Sequence, residues 1–184
     1  VRRGLPPESP IITPYKSALT PSVATIEFSL VFVTRKPFIN PVIIAAPKDF
    51  ELEISGLFAD NKKIKVISGG EVRSKSVAAA LCEVDEKADY ILVHDAARCF
   101  ATQAQTMRVI NALLAGDHAV VPGIEVIDTI KVIDSNNFAE STPSRSSLRA
   151  VQTPQGFTAR ILHRAHESGN DATDDAALVE ALGI

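Results

Sequence analysis

Several short stretches of this chain place cations, hydroxyls and glycine at spacings that suit the binding of a phosphorylated ligand. The first is Gly69-Gly70-Glu71-Val72-Arg73-Ser74-Lys75-Ser76. Glycine lets backbone approach a ligand closely, and a helix opening there presents unpaired amides and a positive dipole end to negative charge. Arg73 and Lys75 add charge and Ser76 a hydroxyl, although the same residues also suit an ordinary turn. The second stretch is His94-Asp95-Ala96-Ala97-Arg98. Asp95 can accept ligand hydroxyls or help hold a cation, and Arg98 can grip phosphate bidentately. Ala96 and Ala97 leave room beside them. An Asp–Arg pair closing a loop is the plainer alternative, and His94 reads as a packed histidine. A more dispersed set follows: Asp128-Thr129-Ile130-Lys131 and Arg145 flank a polar stretch, Thr153-Pro154-Gln155-Gly156-Phe157 comes after it, and Asn170-Asp171-Ala172-Thr173-Asp174-Asp175 opens the last helix. Asp, Asn and Thr all serve as helix N-caps, so that last run has a purely structural alternative; for Arg145 the alternative is a solvated surface charge.

The elements that must position these residues are read from periodicity. From Pro41 onward, apolar and β-branched runs at Val42–Ala46, Lys65–Ile67, Tyr90–His94 and Ala119–Val121 alternate with helical patterns. Such runs fit strands covered on both faces. Val77, Leu81 and Val84 share one face of a helix over about 72–83. Met107, Ile110 and Leu114 do so over Gln103–Ala115, with Gly116 as the stop. Leu162 with Ala165, and Leu178 with Ala181 and Leu182, mark two further helices. The alternation predicts βαβ units in an α/β fold with a mostly parallel sheet, and in such sheets ligands bind at the carboxyl ends of the strands. Val1–Pro21 is proline-rich and reads as a loop. The polar run Asp134–Ser147, between Thr129–Ile133 and Leu148–Gln152, predicts a hairpin arm projecting from the domain.

Composition narrows the function classes. The chain has 184 residues, 46% hydrophobic and 22% charged, with a net charge of −3. That suits one globular domain and argues against disorder and against generic nucleic-acid binding. No apolar run approaches the ~20 residues of a membrane helix. Two cysteines, Cys82 and Cys99, make no disulfide framework and point to a cytoplasmic setting; Cys99 reads as a small buried hydrophobe. The chain starts at Val1 rather than Met, so its natural N-terminus is expected to lie upstream.

Taken together, Gly69-Gly70-x-x-Arg73-x-x-Ser76-Val77, Val93-His94-Asp95-Ala96-Ala97-Arg98, Asp128-Thr129-Ile130-Lys131, Arg145-x-x-Leu148, Gln152-Thr153-Pro154-Gln155-Gly156-Phe157 and Thr173-Asp174-Asp175 resemble the 2-C-methyl-D-erythritol 4-phosphate cytidylyltransferases of the non-mevalonate isoprenoid pathway. The resemblance covers about Gly69 to Leu178. It implies a three-layer, Rossmann-like nucleotidyltransferase domain spanning 1–184, with 132–152 as a dimerisation arm. It also implies transfer of a cytidylyl group from CTP to methylerythritol phosphate with release of pyrophosphate. Mg²⁺ on the triphosphate is the implied cofactor, and a homodimer with shared sites the implied assembly. Such chemistry needs positioning and charge neutralisation rather than a protein nucleophile.

By the same resemblance, Gly70, Glu71, Ser76 and Asp95 would face the nucleotide. Asp95, Arg98, Thr153 and Thr173 would contact substrate, and Thr129 and Arg145 would reach it in a partner's site. Arg3 and Lys16 are the matches for the catalytic arginine and lysine, but the family's Gly-rich loop before Arg3 and its C-terminal lysine segment are not seen. Both ends of the family domain are therefore expected to be incomplete. Two alternatives stay open: a cytidylyltransferase for another polyol phosphate such as ribitol 5-phosphate, and a noncatalytic nucleotide-binding homologue.

Overall fold

The computed structural model describes residues 29–35, 38–167, 169 and 172–184. Arg3 and Lys16 lie outside them. In chain order the strands are β1 (Ser29–Arg35), β2 (Phe38–Ala46), β3 (Ile64–Ser68), β4 (Tyr90–Asp95), β5 (Ala119–Val120), β6 (Gly123–Glu125), β7 (Val132–Ile133), β8 (Ala139–Ser141), β9 (Arg149–Val151) and β10 (Gln155–Thr158). The α-helices are α1 (Glu51–Leu57), α2 (Arg73–Leu81), α3 (Gln103–Ala115), α4 (Ala159–Glu167) and α5 (Asp175–Glu180). The chain divides into two compact units, one holding Ile26–Pro122 with Gln152–Ile184 and the other holding Gly123–Val151.

The larger unit is built on a six-stranded sheet in the order β3-β2-β1-β4-β10-β5. The expectation of a mostly parallel sheet is corrected here. Among the described residues, only β2 and β3 pair in parallel; β1 runs antiparallel to β2 and β4, and β10 antiparallel to β4 and β5. The cause is connection length. Residues 36–37 alone separate β1 from β2, and two residues allow a hairpin, never a crossover. β10 is likewise reached through the Gly123–Val151 unit rather than through a covering helix. The carboxyl-end geometry nevertheless survives. β2, β3, β4 and β5 share one direction, so Ala46, Ser68, Asp95 and Val120 end on one rim, joined there by the start of β10.

Apolar residues cover both faces. Along β4, Ile91 and Val93 point into a cluster with Val77, Ala80 and Leu81 of α2, Leu162 and Ala165 of α4, and Leu178 and Val179 of α5. Leu92, between them, points the other way against Val109 and Leu113 of α3. This parity is the pleat at work, and each fully buried aliphatic side chain contributes about 1.5–3 kcal/mol. The ends of α3 follow the sequence: Thr102 caps it by accepting the Gln105 amide at 3.2 Å, and Gly116 takes φ 116° at its close. Its buried face differs from the expected one. Val109 and Leu113 are buried while Met107 and Leu114 are 42% and 46% exposed. Gly156 on β10 sets this register, because a Cβ there would stand 2.5 Å from Val109 Cγ1 and 2.9 Å from Leu113 Cδ1.

The smaller unit spans Gly123–Val151. Its strand pairing differs from the expected hairpin. β7 pairs with β8, and β9 with β6, so the expected flanks 129–133 and 148–152 do not meet each other. A local turn explains this. Asp134 Oδ1 accepts the amides of Asn136 and Phe138, both at 2.9 Å, and Asn137 takes φ 63°, which closes a short hairpin before the chain can return. Several apolar side chains lie open in this unit, Ile127 at 83% and Ile124 at 56% exposed.

Candidate active site

The rim of the larger unit gathers three charged or hydroxylated segments. At the end of β4, the Asp95 carboxylate lies between two guanidinium groups. Arg73 Nε donates to Oδ1 at 3.0 Å, and Arg98 Nε donates to Oδ2 at 3.3 Å. Arg98 also donates from Nη1 to Gln152 Oε1 at 2.7 Å, and its side chain stays 41% exposed. Arg73 opens α2, and its Nη2 lies 2.8 Å from Oδ2 of Asp175, the first residue of α5. That contact is an ion pair without hydrogen-bond alignment, since neither atom has a hydrogen-bond partner. Asp175 is fully buried, and its Oδ1 sits 2.9 Å from His166 Nε2. Burial alone would pull the Arg73 guanidinium down, but the carboxylates of Asp175 and Asp95 more than offset this and hold its pKa above the usual value.

Backbone and buried side chains hold this frame. The Asp95 amide donates to Thr153 Oγ1 at 3.1 Å, and the same hydroxyl lies 2.8 Å from His94 Nδ1. Burial pushes the His94 imidazole below its ordinary value, the nearby Asp95 carboxylate only partly opposing it. Gln155, buried at the start of β10, donates from Nε2 to Asp174 Oδ2 at 2.7 Å and accepts the Ala176 amide at 3.2 Å. Asp174 in turn caps α5 by accepting the Ala177 amide at 2.9 Å. Beside Arg98, a cavity of about 280 Å³ is lined by Arg98, Phe100, Ala101, Gln105, Gln152 and Thr153. Ligand pockets run from roughly 300 Å³ upward, so this hollow suits part of a ligand rather than two substrates together.

The sequence-derived residues fall into distinct settings. Asp95, Arg98 and Thr153 come together, with the Thr153 hydroxyl occupied by His94 and Asp95. Thr173 is exposed directly before the Asp174 cap. Gly70 donates its amide to Ser76 Oγ at 3.0 Å, so the buried Ser76 hydroxyl holds the loop. Glu71 is largely exposed, 3.8 Å from Lys75. Thr129 and Arg145 belong to the Gly123–Val151 unit, where Arg145 Nη1 donates to the Ile127 carbonyl. His94 is packed, as expected, but Cys99 is exposed, because it sits in the turn that leaves β4 rather than in the strand.

The sequence places Arg73 among the cations of the Gly69-Gly70 loop and Gln155 and Asp175 within motifs, but not the contacts that join Arg73 to Asp175 and Gln155 to Asp174. One signal was available. A cation at the first turn of a helix opposes the helix dipole and so implies a carboxylate partner. The run Thr173-Asp174-Asp175 supplied it, but reads first as a cap.

Among the described residues, no group of three or more His, Cys, Asp or Glu is placed to hold a metal ion. The rim carboxylates bear this out: Asp175 is buried in an ion pair and both Asp95 oxygens face guanidinium nitrogens. These donors do not fit a dedicated Mg²⁺ cage; any such ion would be held mainly by substrate phosphates.

Comparison with known proteins gives the family of the chain. A family model described as 2-C-methyl-D-erythritol 4-phosphate cytidylyltransferase matches residues 21–184. A protein of that name from Nocardia farcinica is 42% identical over 145 residues, covering 79% of this chain and 63% of the relative. Another from Rhodococcus jostii is 44% identical over 146 residues, again covering 79% of this chain and 63% of the relative. The chain thus spans just under two thirds of the length of these curated relatives. The solved structure of a 4-diphosphocytidyl-2C-methyl-D-erythritol synthase from Anaerococcus prevotii superposes with a TM-score of 0.72 at 29% identity, over 79% of this chain and 68% of the other. With strand-end motifs, fold and sequence in agreement, the chain belongs to the 2-C-methyl-D-erythritol 4-phosphate cytidylyltransferase family.

Proposed function

We propose that the protein transfers a cytidylyl group from CTP to 2-C-methyl-D-erythritol 4-phosphate. An oxygen of the polyol phosphate attacks the α-phosphorus of CTP, a new phosphorus–oxygen bond forms, and the bond to the β-phosphate breaks to release pyrophosphate. The product is 4-diphosphocytidyl-2-C-methyl-D-erythritol, an isoprenoid precursor.

The observation that carries this reading is the Arg73–Asp95–Arg98 chain at the strand carboxyl ends, beside a cavity of about 280 Å³. Arg98 is exposed enough to meet a phosphate and is aimed by Asp95 and Gln152. Preorganised donors of this kind are each worth about 10²–10³ in rate when they meet developing charge. The Gly69-Gly70 loop gives the nucleotide close backbone approach, and Thr173 offers a hydroxyl at the same rim. Arg3 and Lys16 are the further cations assigned to the triphosphate. Mg²⁺, when bound on the triphosphate, would neutralise part of its charge.

The finer architecture belongs to the same reading: a three-layer, Rossmann-like nucleotidyltransferase whose arm docks on a second copy, so that Thr129 and Arg145 complete the partner's site. The open apolar side chains of the Gly123–Val151 unit support a homodimer, since such groups favour a covering partner. The two free, exposed cysteines support a cytoplasmic location. No helix among the described residues is long and apolar enough to cross a membrane.

The test is pyrophosphate release by the full-length protein with CTP, Mg²⁺ and each polyol phosphate in turn. Release with methylerythritol phosphate is expected. Faster release with ribitol 5-phosphate would move the assignment to that substrate, and CTP binding without release would make the protein a noncatalytic homologue.

A further inference from the structure

Arg73 sits where three rim segments meet. It opens α2, directly after the Gly69-Gly70 loop; its Nε bonds Asp95 at the end of β4; its Nη2 faces Asp175 at the start of α5. The Asp175 contact anchors the arrangement, because Asp175 is fully buried and held on its other oxygen by His166. The segment Thr173-Asp174-Asp175 is thereby fixed from two sides, by Gln155 through Asp174 and by Arg73 through Asp175. Two arginines, Arg73 and Arg98, balance two carboxylates, Asp95 and Asp175. A buried charge left without its partner is strongly destabilising, so the buried Asp175 ties Arg73, and through it Asp95, to one arrangement.

We propose that Arg73 is a positioning residue. Clamped by Asp175, its guanidinium fixes the Asp95 carboxylate, and with it Arg98 and Thr173, in the arrangement that faces a phosphorylated ligand. This rests on the cytidylyltransferase reading for its kinetic consequence, though not for its structural one. Arg73 acts through Asp95 and Asp175 rather than by touching the reacting atoms. A lysine would keep the charge but not the planar fork that reaches two carboxylates at once.

The test uses Arg73→Lys in the full-length protein, read by melting temperature, steady-state kinetics with CTP and methylerythritol phosphate, and hydrogen exchange at the Ala176 and Ala177 amides. A folded variant is expected, with faster exchange at those amides. Its kcat should fall about 10²-fold, the cost of a misplaced but intact site, while KM for CTP changes much less. Activity near wild type, or a loss that only tracks the folded fraction, would overturn the proposal. So would unchanged exchange. Should the wild type release no pyrophosphate, the cytidylyltransferase reading fails, while the exchange result still decides the positioning role. Should Arg73→Lys fail to fold, the paired Arg73→Met, Asp175→Leu variant removes both charges together, which proteins often tolerate. That variant is expected to fold and to be inactive; a folded, active one would overturn the proposal.

Discussion

The two units of the chain treat their polar groups in opposite ways. In the sheet unit, Arg73, Asp95, Asp175, His166, Gln155 and Thr153 are bound to one another from different elements and are half-buried or buried. In the Gly123–Val151 unit, Arg145 bonds the Ile127 carbonyl and Lys131 Nζ bonds Thr142 Oγ1 at 2.6 Å, both on the exposed surface of the unit, while Ile127 and Ile124 lie open. The first unit is arranged before any ligand arrives. The second has little core of its own. Rigidity is therefore built into the first unit, and open apolar surface into the second.

Variants sharpen or break that contrast. The largest effect is expected from Asp175→Ala, which opens a buried gap and takes from Arg73 the buried one of its two carboxylate partners. Removing one partner of such a pair costs about 3–5 kcal/mol, so denaturant unfolding should show a loss of this size; a loss below roughly 1 kcal/mol would mean the rim is not an interlocked unit. Next comes Arg145→Ala. The melting temperature should hold, because its bond is exposed to solvent, yet turnover should drop on the order of 10²-fold. Normal turnover would remove Arg145 from the site. Gly156→Ala should cost about 1–3 kcal/mol by forcing α3 away from β10; a neutral result would show that Val109 and Leu113 do not pack so closely. The smallest effect concerns pH. His94 has a lowered pKa when folded, so the unfolded chain takes up the proton first. Stability should thus be full above about pH 6.5 and fall as pH drops through that value toward the lowered one. His94→Gln should flatten this slope in pH-dependent melting curves; an unchanged slope would place the titrating group elsewhere.

Much of the sheet unit is legible in the sequence, and the reasons for the failures are specific. The runs at 42–46, 65–67 and 90–94 all lie within strands; those of β2 and β4 are apolar on both faces because both faces are covered, while edge strand β3 leaves Lys65 exposed. Asp95 and Arg98 follow from lying just past such a run. The direction of β1 and β10 does not, since it is set by how the chain connects rather than by side-chain pattern. On α3, apolar residues at 107, 109, 110, 113 and 114 offer two overlapping stripes, and the choice between them rests on Gly156, a distant residue with no side chain. The pairing of Arg73 with Asp175 escapes for a similar reason. Each reads locally as a helix-terminus residue, and only the tertiary fold reveals that they bind each other.

The most direct measurement mixes two inactive variants, Arg98→Ala and Arg145→Ala, after confirming that each folds alone. If the fixed rim of one subunit works with the arm of another, a mixed dimer holds one intact site. Random pairing should then restore roughly a quarter of wild-type turnover. No recovery on mixing, from subunits shown to exchange, would contradict a site completed by the partner's arm.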